Sequence, residues 1–107
     1  MNIGEAIKEM RASVGLSQKQ LAEKATISQN ALCNIEKGYS FPSKDTIKAI
    51  CDAMDIPVSW LLFSSITEED VPEEKREIFN ALREPMMKVF EKLGTNASKE
   101  ESTSFLP

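Results

Sequence analysis

Gln29, Asn30 and Asn34 lie within a single stretch of six residues, and they carry the clearest chemistry this chain offers. An amide side chain donates and accepts at once, so it can grip one base edge with two bonds. Its best match is adenine N6 and N7 in the major groove of DNA. The neighbours Ser28 and Cys33 are short and neutral, and Lys37 adds one cation. A plain solvated helix face would favour Glu and Lys instead. No Arg lies in this stretch to hold guanine, so the set leans toward A·T pairs.

Other chemistries are poorly supplied. Histidine is absent from all 107 residues, which removes the commonest general base and the commonest metal ligand. Cys33 and Cys51 are too few and too far apart for a disulfide framework or a zinc site, and they read as reduced thiols. No cofactor and no metal are expected, and nothing after Ser65 offers a catalytic constellation. The chain reads as a binding protein rather than an enzyme.

Helices must position the amides, because the apolar spacing is helical almost throughout and no stretch alternates at period two for long. Ile3, Ile7, Met10 and Val14 share one face of a first helix that Gly15 can end. Ser17 and Gln20 form a capping box for a second helix, with Leu16 and Leu21 as its hydrophobic staple. Ser28 can cap a third helix, stapled by Ile27 and Leu32 and stopped at Gly38. That third helix turns Ala31, Leu32 and Ile35 inward, and so presents Ser28, Gln29, Asn30, Cys33, Asn34 and Lys37 to water. Pro42 and Ser43 open a fourth helix carrying Ile47, Ile50, Cys51 and Met54, and Pro57 opens a short fifth over 58–63. Trp60 reads as core, since large aromatics are mostly buried. Two short helices about three residues apart make a helix-turn-helix.

The run Leu16-Ser17-Gln18-Lys19-Gln20-Leu21-Ala22-Glu23-Lys24-Ala25-Thr26-Ile27-Ser28-Gln29-Asn30-Ala31-Leu32-Cys33-Asn34-Ile35-Glu36-Lys37-Gly38 resembles the lambda-repressor-like (Cro/Xre-type) helix-turn-helix regulators. The resemblance covers residues 3–63, with Pro42-Ser43, Thr46-Ile47 and residues 50–56 matching that family's fourth helix. It implies an all-α, five-helix DNA-binding domain that regulates transcription. It also implies a backbone-phosphate contact for Gln18 and a structural ion pair between Arg11 and Glu36 that links the first helix to the end of the third. Gln18 opens its helix, where free N–H groups already attract an anion. Around the third helix, Ser28, Lys37, Tyr39, Ser40, Ser43 and Lys44 are placed to hold the DNA backbone, although Ser43 can equally be a cap. Thr26 departs from the family, which often has glycine in this turn. A β-branched residue in a left-handed conformation there costs about 1 kcal/mol or more.

The net charge of −4 is unlike a nucleic-acid binder, but its distribution is uneven. Residues 1–63 hold seven Lys/Arg against seven Asp/Glu, while residues 64–107 hold six against ten. The acidity belongs to the C-terminal part. Residues 1–65 are expected to form the DNA-binding domain, residues 66–94 an amphipathic helical extension, and residues 95–107 a disordered tail. The extension starts in the acidic run Glu68, Glu69, Asp70, Glu73 and Glu74, which suits a helix N-terminus. Its stripe is Ile78, Leu82, Met86, Val89, Phe90 and Leu93; Pro85 should kink or split it, and Gly94 should end it. Such a stripe calls for a partner. A symmetric homodimer on a palindromic operator is expected, the alternatives being a stripe that folds back onto its own domain and an antitoxin-like protein whose C-terminal helix binds another protein. Neither a membrane span nor a signal peptide is visible, so the cytosol is the expected compartment.

Overall fold

A computed structural model describes residues 1–96, apart from the side chains of residues 91 and 93–96. Among the described residues it contains α1 (Ile3–Ser13), α2 (Gln18–Ala25), α3 (Gln29–Glu36), α4 (Lys44–Met54), α5 (Val58–Ser65) and α6 (Arg76–Asn96), and no strand. None of these helices is long and apolar enough to cross a membrane.

Local hydrogen bonding sets the starts of the first four helices. Asn2 Oδ1 accepts from the Glu5 N–H at 3.1 Å, Ser28 Oγ from Ala31 at 3.0 Å and Ser43 Oγ from Thr46 at 3.2 Å. At α2 the capping box closes both ways. Ser17 Oγ accepts from the Gln20 N–H at 3.0 Å, and the Ser17 N–H donates to Gln20 Oε1 at 2.8 Å. Each such cap is worth about 1 kcal/mol.

The ends are equally local. Gly15 (φ 77°) and Gly38 (φ 83°) take the left-handed conformation that releases the chain from α1 and α3. Thr26 ends α2 with φ 59°, so the turn keeps the left-handed bend and threonine bears its strain.

The core forms where the apolar faces of five helices meet. Ile3, Ile7 and Met10 of α1, Leu21, Ala22 and Ala25 of α2, Leu32 and Ile35 of α3, Ile50, Cys51 and Met54 of α4 and Leu61 of α5 are all buried. Gly4 lets α1 run close to the end of α3: a Cβ there would overlap the carbonyl oxygen of Ile35.

The C-terminal part differs from the sequence expectation in four respects. The acidic run forms two short 3-10 turns, Glu68–Asp70 and Glu73–Lys75, and α6 begins only at Arg76. Pro72 forces its predecessor Val71 into extended backbone, and Asp70 turns back to accept from the Thr67 N–H at 2.8 Å, so a continuous helix cannot start earlier. Second, of the kink or split expected at Pro85, the split does not occur, since Pro85 lies inside one continuous α6. The carbonyl it leaves unpaired belongs to Ala81, a small exposed residue beside which water can take the missing donor's place. Third, α6 runs past Gly94 to Asn96, because glycine inside a helix costs only about 1 kcal/mol.

The fourth difference concerns Phe90, which leaves the outward stripe. It is 4% exposed, with its ring stacked on Trp60 at 4.9 Å between centroids and meeting Phe63 edge-on at 5.7 Å. Arg83, Met87 and Phe90 fall on a second face of α6 that folds back onto the domain, while Ile78, Leu82, Met86 and Val89 stay on the outer face. Phe90 is therefore withdrawn from the dimerisation set. The side chain of Leu93, and residues 97–107 of the expected tail, lie outside what is described.

Candidate nucleic-acid interface

With Leu32 and Ile35 buried and Ala31 half-buried, α3 has one orientation open to it. Its outer side shows Gln29 and Asn30 fully and Cys33 and Asn34 in part, with Lys37 exposed just beyond its end. These are the residues expected to meet base edges and the first phosphate. The short turn from Thr26 to Ser28 joins α2 to α3, and the contact of Gln18 with Glu36 brings the N-terminus of α2 to the end of α3. Ser28 is exposed in that turn, but its oxygen is engaged as the cap of α3.

A carboxylate clamp holds the arrangement. Arg11 Nε donates to Glu36 Oε2 at 2.7 Å and Arg11 Nη2 to Glu36 Oε1 at 3.1 Å, while Arg11 Nη1 donates to the Leu16 carbonyl at 3.0 Å. The Glu36 side chain is only 4% exposed, so its charge depends on these donors. Gln18 joins them, its Nε2 donating to Glu36 Oε1 at 3.1 Å. One buried carboxylate thus ties together α1, the start of α2 and the end of α3. The Gln18 side-chain amide faces this clamp, and the Gln20 N–H is taken by Ser17 Oγ, which leaves the backbone N–H groups of Gln18 and Lys19 in the first turn of α2 for an anion.

The segment between α3 and α4 continues the surface. Tyr39 and Ser40 both donate their backbone N–H groups to the Asn34 carbonyl, at 2.9 and 3.4 Å, which fixes this segment to α3. Lys37 Nζ stands 5.9 Å from the centre of the Tyr39 ring. Lys37, Tyr39, Ser40 and Lys44 are exposed and free to approach a nucleic-acid backbone. Ser43 is committed elsewhere: its Oγ accepts from the Thr46 N–H and donates to Thr46 Oγ1 at 3.0 Å, so it acts as the cap of α4. Sequence reasoning missed Phe41, which stands 70% exposed in the same segment. The available signal was a large apolar residue directly before proline in an otherwise polar turn.

Residues 7–61 match the family described as helix-turn-helix. The chain is 33% identical over 106 residues to the immunity repressor protein of Bacillus phage phi105, covering 98% of this chain and 71% of that protein. It is 36% identical over 62 residues to the HTH-type transcriptional regulator ImmR of Bacillus subtilis (strain 168), covering 58% of this chain and 49% of that one. It is 30% identical over 63 residues to the transcriptional regulator ClgR of Mycobacterium tuberculosis, covering 59% and 56%. The chain spans about half the length of these last two relatives. With the clamped helix pair and the matched residues together, the chain belongs to the Cro/Xre-type helix-turn-helix family of DNA-binding transcriptional regulators.

Proposed function

We propose that the chain is a sequence-specific repressor that binds a palindromic operator as a homodimer in the cytosol. The observation that carries this reading is the exposed amide face of α3, held in a fixed orientation by the Arg11–Glu36–Gln18 clamp. Gln29, Asn30 and Asn34 read base edges in the major groove. The N-terminus of α2 at Gln18, together with the Ser28 hydroxyl hydrogen, which its capping role leaves free, and Lys37, Tyr39, Ser40 and Lys44, holds the phosphates on either side. Repression is favoured over activation by the similarity to a phage immunity repressor, which extends over nearly the whole chain.

Two copies are needed because one short helix contacts too few base pairs for tight binding. The outer face of α6 supplies a surface for joining them. Ile78 is 65% exposed, Leu82 59%, Val89 47% and Met86 39%, and their spacing places them on one side of the helix. An apolar row of this kind is rarely left in water by a soluble monomer.

Selection of bound sites from a random DNA pool with the purified full chain tests the reading. A palindromic, A·T-leaning motif is expected. Failure to enrich any motif at low salt would contradict it.

A further inference from the structure

Phe41 has no folding role that accounts for its place. It is 70% exposed, yet its backbone is held firmly. The buried Pro42 after it restricts Phe41 to extended backbone, and the preceding residues are bonded to the Asn34 carbonyl. Beyond Pro42, the Ser43 cap fixes the start of α4. A large ring is thus presented to solvent on a segment already ordered, next to the last of the amides on α3. Its neighbours Lys37, Tyr39 and Ser40 all have polar or charged groups suited to phosphate. A phenyl ring has none, and gains nothing from a phosphate oxygen. What it can gain from a duplex lying along α3 is apolar contact, and the apolar group a major groove displays is the thymine C5-methyl.

We propose that Phe41 is a specificity-determining residue that recognises a thymine methyl group at the edge of the site read by α3. The inference rests on the proposed DNA reading and extends it in two ways. It adds a reader that forms no hydrogen bond, and it places that reader outside the recognition helix. Phe41 thereby favours thymine over cytosine at one position, a discrimination the amides do not supply there.

The test uses the full chain and its selected operator, with each edge thymine replaced in turn by deoxyuridine, which removes only the methyl group. For one of these positions the wild-type protein is expected to lose roughly fourfold in affinity, the worth of one methyl-sized group taken out of water. Phe41→Ala should bind the natural operator more weakly by at least that factor, keep its melting temperature, and be indifferent to the same deoxyuridine. Phe41→Leu should restore part of both the affinity and the sensitivity. The inference is overturned if Phe41→Ala binds the operator as tightly as wild type. It is also overturned if the losses from Phe41→Ala and deoxyuridine simply multiply, or if Phe41→Ala weakens random DNA equally. In those cases the wild-type protein still discriminates its operator from random DNA; a wild-type protein that does not would show the failure to lie in the DNA reading itself.

Discussion

The two thiols occupy opposite environments, and they report on the interface from within the domain. Cys51 is fully buried, and burial, reinforced by the neighbouring Asp52 charge, pushes its thiol up to about 11. Cys33 sits half-buried on α3, between Asn30 and Asn34 on the face proposed to enter the groove. Since the thiolate is the reactive form, an alkylating reagent at about pH 8 should modify Cys33 in the folded protein and spare Cys51 until it unfolds. Saturating operator DNA should slow modification of Cys33, read by mass spectrometry over time. An unchanged rate with DNA bound would place α3 outside the groove. At this scale the sequence was informative wherever a residue's role follows from its own helix. The amides on α3 are exposed because Leu32 and Ile35 cannot be. It was uninformative where a role depends on a distant element. Nothing around Gln18 indicates that its amide turns to Glu36, eighteen residues away.

Helix boundaries follow the same division. The caps at Ser17, Ser28 and Ser43 and the stops at Gly15 and Gly38 are settled within a few residues, so they are legible from local types alone. The start of α6 is not legible in the acidic run, because Pro72 and the local pairing of Asp70 with Thr67 outweigh the favourable charge of that first turn. Thr26 shows an element keeping its geometry against residue preference, with φ at 59°. Its side chain is exposed, so Thr26→Gly removes little contact and relieves left-handed strain, partly offset by the greater freedom of glycine in the unfolded chain. The variant should gain up to about 1 kcal/mol in denaturant unfolding with operator affinity nearly unchanged. A loss of similar size would mean that threonine supplies something to the turn beyond its backbone.

On the scale of the whole molecule, α6 does two things with adjacent faces, and periodicity alone merged them. Arg83, Met87 and Phe90 close over α1 and α5, while Ile78, Leu82, Met86 and Val89 face outward. The position of Phe90 against Trp60 and Phe63 was not legible, because a residue next to Val89 in sequence belongs equally well to either face until the partner helices are placed. The distinction decides how the dimer should be probed. Removing α6, or introducing Phe90→Asp, would strip the Trp60 and Phe63 face or bury a carboxylate against it, so a loss of binding would report unfolding. Leu82 is 59% exposed, and Leu82→Asp should leave the helical content nearly unchanged, give a monomer by light scattering and weaken operator binding. A variant still dimeric would move the interface elsewhere, and a wild-type chain already monomeric would leave the outer face of α6 to a different protein. The proposed role of the α3 amides is to read sequence. Its most direct test is the affinity of wild type, Asn30→Ala and Asn34→Ala for the selected operator and for random duplex, measured side by side. Each substitution should cost about 1–3 kcal/mol on the operator and almost nothing on random DNA. Equal losses on both would make these amides general surface contacts and contradict that role.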